Sequence, residues 1–322
     1  MPAKSLHIFT SKLIDYAGLF PPASLDLKSA FYNYLNYISK SPYSWMLAKF
    51  ICPASRLSEL DILIENEKIA FENPLSFSVL GLSSVHSSEF LDSISHDVSL
   101  ISDFNVKYSG RINVDAFEVR LPNDIFSIKG DKVLYDMIRL TSEKLEKING
   151  KQLCLFFEAL PDENLTALAE AISAHIKTGG KSGYKLRTGG VEASAFPPSE
   201  KIATAIMTCK DFEVPIKFTA GLHHPIRHYN DAVKTKMHGF INVFCSGVLH
   251  CCHSLEREVI AEILSDENPD NFKFTDSSIQ WKNLIVLASK AEEVRNNFML
   301  SYGSCSFDEP VDDLKKLGLL NI

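Results

Sequence analysis

The chain has 322 residues, 45% of them hydrophobic and 23% charged, and carries a formal net charge of −7. This is the composition of an ordinary soluble globular protein, long enough for one large domain or two ordinary ones. The acidic balance, without basic clusters in the sequence, argues against a nucleic-acid partner.

No apolar run in the sequence approaches the roughly 20 residues that a membrane-spanning helix needs, so we expect no membrane partner. The cysteines number 7, which is odd for a disulfide framework. The N-terminal residues show no apolar signal core. A reducing, cytoplasmic location is therefore expected.

Short apolar runs bounded by turn residues predict strands throughout the chain. They are Trp45–Cys52, Ser76–Leu82, Ile112–Leu121, Gln152–Leu160, Gly183–Thr188, Val214–Ala220, Phe240–Ser246 and Phe272–Thr275. The segments between them carry apolar residues at steps of three and four, as in Ser88–Phe104 and Trp281–Asn297, which predicts amphipathic helices.

Strands that alternate with helices over about 250 residues predict an α/β fold, a (β/α)₈ TIM-type barrel. We assign residues 45–297 to the barrel, residues 1–44 to an N-terminal extension that covers a barrel mouth, and residues 298–322 to a short helical tail packed on the barrel. An open doubly wound sheet is the alternative. It is disfavoured because no Gly-x-Gly-x-x-Gly follows the first predicted strand.

Two lysines stand near the ends of consecutive predicted strands. Lys185 lies in Gly183–Gly190 and Lys217 in Val214–Gly221, with a helical stretch, about Ser199–Cys209, between them. A strand–helix–strand unit places two parallel neighbours in one sheet, so both side chains should project at the same end. Like charges at close range predict a lowered pKa for at least one lysine, and a neutral lysine is a nucleophile or a base.

Further polar residues interrupt apolar strands or follow them, and in a barrel this position favours the active-site mouth. The candidate catalytic residues are Lys185, Lys217, Glu158, Glu118, His223 and His224. The candidate anion-binding residues are Arg187, Thr188, Gly189, Gly190, Thr219, Arg120, Arg227 and Lys49. The alternative is a structural network in which these charges simply pair.

A cofactor is not predicted from the sequence. Adjacent His223 and His224 with a carboxylate from Glu118 or Glu158 leave a divalent metal open, although neighbouring loop residues rarely ligate one ion together. We therefore predict no metal ligand. Either histidine is better placed as a general acid or base.

Two family resemblances are carried by these segments. Leu13–Pro22, Lys185–Gly190, Lys217–Pro225 and Gly303–Pro310 together resemble an uncharacterised family of bacterial proteins, which implies no reaction. The paired lysine strands resemble the deoxyribose-phosphate aldolase group of class I aldolases, which are (β/α)₈ barrels. That resemblance implies that Lys185 is the Schiff-base nucleophile and that Lys217 lowers its pKa.

The chain departs from the aldolase pattern in three ways. The lysines lie on the fifth and sixth predicted strands, whereas the aldolase pair lies on the sixth and seventh. Arg187 replaces a small hydroxyl residue, and the run from His223 to Pro225 replaces part of the phosphate loop.

These observations predict an enzyme that acts on a small anionic carbonyl or phosphorylated metabolite, with a class I aldolase-like lyase reaction through a lysine imine favoured. Two alternatives stay open. One is a transferase-type barrel in which both lysines stay protonated as an anion clamp, and the other is a non-catalytic ligand-binding barrel. The sequence also leaves a homo-oligomer open.

Overall fold

The computed structural model describes residues 2–71, 73–84, 86–128, 132–145, 152–159 and 164–321. Its strands are, in chain order, β1 (Ile14–Tyr16), β2 (Leu47–Pro53), β3 (Leu75–Leu80), β4 (Ile112–Arg120), β5 (Cys154–Glu158), β6 (Ser182–Arg187), β7 (Ile216–Thr219), β8 (His228–Asn230), β9 (Thr235–Met237), β10 (Phe272–Phe274), β11 (Ser278–Trp281), β12 (Leu284–Leu287) and β13 (Met299–Ser304).

The α-helices fill the intervals between these strands. They are α1 (Lys4–Thr10), α2 (Leu27–Lys40), α3 (Leu57–Glu67), α4 (Ser87–Lys107), α5 (Val133–Leu145), α6 (Leu165–Lys177), α7 (Ser199–Asp211), α8 (Phe240–His253), α9 (Arg257–Ser265), α10 (Ala288–Asn297) and α11 (Asp308–Lys316).

Eight parallel strands close into a barrel in the order β1-β2-β3-β4-β5-β6-β7-β13. The predicted fold class, a (β/α)₈ barrel, is confirmed. In the described part of the chain, two small antiparallel sheets accompany the barrel, one of β8 and β9 and one of β10, β11 and β12. Among the described residues, no helix combines the length and apolar character needed to cross a membrane.

The predicted bounds of the barrel need correction at both ends. Its first strand is Ile14–Tyr16 and its last is Met299–Ser304, whereas the sequence put both segments outside residues 45–297. Ile14–Tyr16 is only three residues long with an acid at its centre. Met299–Ser304 contains a glycine and two serines. Neither segment therefore has the β-branched, apolar character by which a buried parallel strand is recognised.

Two predicted strands have a different structure. Phe240–Ser246 forms the first half of α8, which is buried on nearly all sides, so its sequence shows an apolar run without helical periodicity. Phe272–Thr275 contributes β10 to the three-stranded antiparallel sheet and not to the barrel. The predicted strand Gln152–Leu160 is found as Cys154–Glu158, and Leu160 lies outside the described residues.

The barrel count changes the position of the two lysines. With Ile14–Tyr16 as the first strand, Lys185 lies on the sixth barrel strand and Lys217 on the seventh. The helix between them, α7, is close to its predicted extent. Its buried face, which includes Ile202 and Ile206, packs in the main core and holds the two strands side by side.

Candidate active site

A cavity of about 360 Å³ opens at the carboxyl ends of the barrel strands. The residues that end successive strands contribute to its wall, among them Leu80, Arg120, Glu158, Arg187 and Thr219. Loop residues that follow β1, namely Ala17, Phe20, Pro21 and Pro22, complete one side of it. This is the end of a (β/α)₈ barrel at which active sites are found.

The strand register sets three charged residues side by side on neighbouring strands near the base of this cavity. Glu158 on β5 pairs with Lys185 on β6, and Lys185 pairs with Lys217 on β7. Glu118 reaches the same level from β4 across the barrel. The expectation that both lysines project at the same end is therefore met.

These side chains form one continuous network, the buried ion-pair chain, whose members are Asp15, Lys217, Glu118, Lys185 and Glu158. Lys217 Nζ lies 2.7 Å from Asp15 Oδ2 and donates a second bond to Glu118 Oε1. Lys185 Nζ lies 2.9 Å from Glu118 Oε2 and 2.9 Å from Glu158 Oε2. Negative and positive groups thus alternate along this network from Asp15 to Glu158, and Glu118 bridges the two lysines.

Hydroxyl and backbone groups hold the acids in place. Ser78 Oγ donates to Glu118 Oε1 at 2.5 Å, and Ser301 Oγ donates to Asp15 Oδ2 at 2.7 Å. The backbone N–H of Lys49 donates to Asp15 Oδ1 at 3.0 Å. Because buried carboxylates are costly unless their lone pairs are occupied, these bonds reduce the cost of burying Asp15 and Glu118 inside the barrel.

Glu118 and Glu158 are held as anions. Burial raises the pKa of Glu118, but the charges of Lys185 and Lys217 outweigh it and bring that pKa well below its usual range. Burial likewise raises the pKa of Glu158, and Lys185 and Arg187 reverse that effect and lower it. Both glutamates are therefore proton acceptors in the resting state.

The predicted direction of the lysine pKa is wrong. Burial lowers the pKa of Lys185, but Glu118 and Glu158 outweigh burial and raise it above its ordinary value. The pKa of Lys217 is raised in the same way, with burial opposed by Asp15 and Glu118. The reason is that three carboxylates surround the two amines, so their attraction exceeds the mutual repulsion of the lysines.

Only one of the two lysines reaches the cavity. Lys185 is among the lining residues, whereas Lys217 is 1% exposed and lies behind it, with its amine 5.5 Å from the centre of the Phe156 ring. Lys185 is thus available to a ligand. Lys217 is linked to the cavity through Glu118, which it contacts and which lines the cavity wall.

The rim of the cavity is cationic. Arg187 keeps nearly half of its side chain exposed while its Nε lies 3.4 Å from Glu158 Oε1, and Arg120 lines the cavity as an exposed residue. Burial would lower the pKa of His223, but contacts with Cys305 and Glu309 raise it to about 9. At neutral pH His223 is therefore a third positive group at this rim.

Several predicted site residues lie elsewhere. His224 Nδ1 bonds Asp313 on α11, and Arg227 Nη1 lies 2.8 Å from His238 Nδ1, so both belong to structural contacts outside the cavity. The side chain of Lys49 is not part of the cavity wall. Their positions within or after predicted strands favoured the site. Such positions alone do not determine the direction in which a side chain points.

Only part of the glycine turn after β6 lines the cavity, and the rest makes structural contacts. Thr188 is buried, and its Oγ1 donates to the carbonyl of Ala220 at 2.6 Å, which ties the loops after β6 and β7 together. Gly189 packs against Gly221, whereas Gly190 lines the cavity. Thr219 also lines it. Only part of the predicted anion-binding set therefore faces a ligand.

Asp15, Ser78 and Cys305 are the site residues that sequence reasoning missed. Asp15 lies on a three-residue strand that had no strand signal of its own, and Ser78 is an ordinary small residue within β3. Cys305 directly follows β13, which was assigned to the tail. Its position after a barrel strand becomes visible only once that strand is known.

The described residues contain no group of three or more His, Cys, Asp or Glu side chains arranged to hold a metal ion. The carboxylates that could act as ligands are already bound to lysine amines. The chemistry that the arrangement offers is that of an amine flanked by bases.

Neither a family model nor a curated sequence matches the chain. Several solved structures are similar to it in fold. An intracellular xylanase from Thermoanaerobacterium saccharolyticum in complex with xylotriose has 9% identity and a TM-score of 0.48, covering 96% of this chain and 91% of that chain. A GH10 endoxylanase from a sugarcane soil metagenome has 12% identity and a TM-score of 0.40, covering 67% and 68%. Xylanase XynB from Paenibacillus barcinonensis has 9% identity and a TM-score of 0.40, covering 94% and 86%. With identities and TM-scores this low, these likenesses carry no argument about the activity of this chain.

Proposed function

We propose that this barrel is a lyase of the class I aldolase kind, which binds a small anionic carbonyl compound and forms an imine with Lys185. The observation that carries the proposal is the position of Lys185 Nζ. It lies at the base of the cavity, 2.9 Å from each of two carboxylates. An amine in reach of both a carbonyl ligand and a proton acceptor is the minimum that imine chemistry requires.

The raised pKa of Lys185 is compatible with this chemistry because of charge conservation. An ammonium group and a carbonyl combine to give a protonated imine and one water molecule, so the positive charge on nitrogen is the same before and after. The carboxylates of Glu118 and Glu158 that stabilise the ammonium therefore stabilise the protonated imine as well. A protonated imine withdraws electrons from the neighbouring carbon, which is what carbon–carbon bond cleavage needs.

The amine must lose one proton before it attacks. Glu118 and Glu158 both line the cavity and each has its Oε2 at 2.9 Å from Nζ, but Glu118 is also held by Lys217, so Glu158 is the acceptor that we assign. Transfer from Nζ to Glu158 gives a neutral amine beside a carboxylic acid without exchange with solvent. Glu158 then returns that proton to the carbonyl oxygen, which gives a hydroxyl on the carbon bonded to nitrogen. Glu158 next moves a second proton from the nitrogen to that hydroxyl, which leaves as water as the C=N bond forms. The direction of the pKa shifts implies that this neutral pair is a minor, transient species.

Lys217 has a different role from the one its sequence predicted. It acts with Lys185 to keep Glu118 ionised. Its amine bonds Glu118 and Asp15 and is not part of the cavity wall. Glu118 in turn holds the charge of Lys185. Lys217 is therefore a positioning residue.

The rim supports an anionic substituent on the ligand. Three carboxylates and two ammonium groups leave the buried ion-pair chain with one net negative charge, so the lysines are already neutralised and do not serve as an anion clamp. Arg120, Arg187 and His223 stand at the rim instead. A ligand whose carboxylate or phosphate is bound there would have its carbonyl end oriented toward Lys185.

Hydrolysis by a pair of carboxyl groups fits the site less well. That reaction needs one carboxylic acid that is protonated at working pH, with a raised pKa. The pKa of Glu118 and that of Glu158 are both lowered. Neither group is then a proton donor at rest.

Reductive trapping tests the proposal. The protein is incubated with a panel of small aldehydes and ketones that carry a carboxylate or phosphate, then treated with borohydride, and the intact mass is measured. We expect at least one compound to add its reduced mass and to be cleaved or condensed in the absence of borohydride. Lys185→Arg keeps the positive charge but cannot form the imine, so it should lose both effects.

The matched control is Lys201→Arg, which changes an exposed lysine on α7 and should behave as the wild type. A compound that raises the melting temperature without a mass adduct or turnover would favour a ligand-binding barrel. Adducts of equal yield in Lys185→Arg would contradict the proposal.

A further inference from the structure

A thiol, an imidazole and a carboxylate meet on the wall of the cavity between β7 and β13. Cys305 Sγ lies 3.8 Å from His223 Nδ1, and the same nitrogen lies 3.3 Å from Glu309 Oε2. Cys305 and His223 both line the cavity. No step of the proposed imine chemistry uses the thiol, so this cluster needs an explanation of its own.

The backbone around Cys305 is fixed. Ser304 Oγ donates to the carbonyl of Ser306 at 2.6 Å, and the N–H of Glu309 donates to Ser306 Oγ at 3.2 Å. These bonds tie the turn after β13 to the first turn of α11, whose N-terminal end favours a negative charge nearby. The thiol is thereby held beside the imidazole.

A positive charge lies next to the thiol. Contacts with Cys305 and Glu309 hold His223 as an imidazolium, and its Nδ1 lies 3.8 Å from Cys305 Sγ. A cysteine beside a cation is the kind that reacts as a nucleophile in proteins. Tyr16 is the other titratable group that faces the thiol, from β1, and Asp308 lies near Tyr16. Burial raises the pKa of Tyr16, which keeps it neutral. Among these described groups, Glu309 and Asp308 are therefore the acids that would repel a negative charge on the thiol.

We propose that Cys305 is a nucleophilic modification site for small soft electrophiles that enter through the cavity. With an alkyl halide, Sγ attacks the carbon and forms a C–S bond while the halide leaves with its electron pair. The thiol proton goes to solvent, because the His223 imidazolium already carries both of its ring protons. Because Cys305 and Lys185 line the same space, the adduct occupies the cavity and blocks access to Lys185.

Alkylation of the full-length native protein with iodoacetamide at pH 7 tests this inference, with the rate at each cysteine read from peptide masses. Cys252 is exposed and outside the cavity, so it is the internal reference. We expect Cys305 to be alkylated in the folded protein. His223→Gln should slow that reaction roughly tenfold or more, because an unassisted thiol is mostly protonated at this pH, and leave Cys252 unchanged.

Glu309→Gln is the second variant, chosen because its side chain is 54% exposed and tolerates change. It removes the anion that holds His223 protonated, so alkylation of Cys305 should slow several-fold. A neutral acylating reagent that modifies Lys185 in the unalkylated protein should also react more slowly with Lys185 in the alkylated wild type, because the adduct occupies the same cavity. Equal rates at Cys305 in wild type and both variants, or no reaction there when Cys252 is fully modified, would overturn the inference.

Discussion

At the scale of single residues, the central feature is that an amine with a raised pKa lies where a ligand reaches it. Lys185 is stabilised as a cation by Glu118 and Glu158. Such a group is a poor nucleophile at rest. In the proposed reaction it becomes one only when its proton moves to a neighbouring carboxylate during attack, so the proposal requires Glu158 as much as the lysine.

Replacing Glu158 by Gln should have opposite effects on the acylation of Lys185 and on the proposed catalysis. Without that carboxylate the effect of burial is less opposed and the pKa of Lys185 falls, so a neutral acylating reagent should modify Lys185 several-fold faster at pH 8. Imine trapping and turnover should instead decrease, because the proton acceptor is gone. Peptide mass spectrometry measures both. Glu170→Gln, an exposed residue on α6, is the control, and an unchanged acylation rate at Lys185 in Glu158→Gln would count against this role.

The sequence predicted the paired lysines and the two glutamates, but it did not predict their charge states. Lys185 and Lys217 are close in the chain, so a strand–helix–strand pattern was enough to make them neighbours. The acids that raise their pKa come from β1, β4 and β5. Contacts between strands so distant in sequence depend on the closed barrel and its register, which no local pattern contains.

At the scale of elements, Lys217 joins strands β1, β4 and β7 through its contacts with Asp15 and Glu118. Lys217→Met should lower the free energy of unfolding by about 3–5 kcal/mol, because two buried carboxylates lose their partner. Urea unfolding measures the loss. The exposed-site variant Lys201→Met should change it little, and a loss of less than about 1 kcal/mol in Lys217→Met would show that the network contributes little to stability.

The loops after β6 and β7 depend on a close approach of two glycines. Gly221 has a φ of +75°, and a Cβ there would lie 2.8 Å from the Cα of Gly189. Gly110 has a φ of +76° with no atom within 4 Å of such a Cβ. Gly110→Ala therefore measures the backbone cost alone, about 1–2 kcal/mol.

Gly221→Ala adds the steric clash to that backbone cost. We expect it to destabilise the protein by a further 1–3 kcal/mol, roughly the cost of overpacking, and to weaken binding of an anionic ligand because the cavity wall shifts. Thermal unfolding and ligand-induced stabilisation are the measurements. Equal destabilisation by the two glycine variants would mean that the loops do not require this contact.

At the scale of the whole molecule, the stability should depend on pH at both extremes. The pKa of Glu118 and that of Glu158 are lowered below 4.5 in the folded state, so their stabilisation is present above pH 4.5 and is lost as the pH falls below it. The pKa of Lys185 and that of Lys217 are raised above 10.5, so their stabilisation is present below pH 10.5 and is lost as the pH rises through the folded values.

Glu118→Gln should make the free energy of unfolding fall less steeply with decreasing pH. The wild type takes up a proton at this residue on acid unfolding, which contributes about 1.4 kcal/mol per pH unit to the fall in the free energy of unfolding below pH 4.5. The variant lacks that contribution and is less stable at neutral pH. Denaturant titrations between pH 2.5 and 7 measure the slopes, and parallel slopes would exclude Glu118 as an acid-linked group.

The fold itself was largely predictable, whereas its closure was not. Regular alternation of strands and helices indicated the barrel, and six of its strands were recognised as short apolar runs. The strands that close the ring, Ile14–Tyr16 and Met299–Ser304, are held by their neighbours more than by their own composition. Asp15 and Cys305, which lie on or beside them, were missed for the same reason.

Peptide mapping of the borohydride-trapped protein is the most direct test of the proposed chemistry. We expect the reduced adduct of an anionic carbonyl compound on Lys185 alone, with Lys217 unmodified because it lies behind the cavity. An adduct on Lys217, an even spread over exposed lysines, or no adduct from any compound that raises the melting temperature would contradict it.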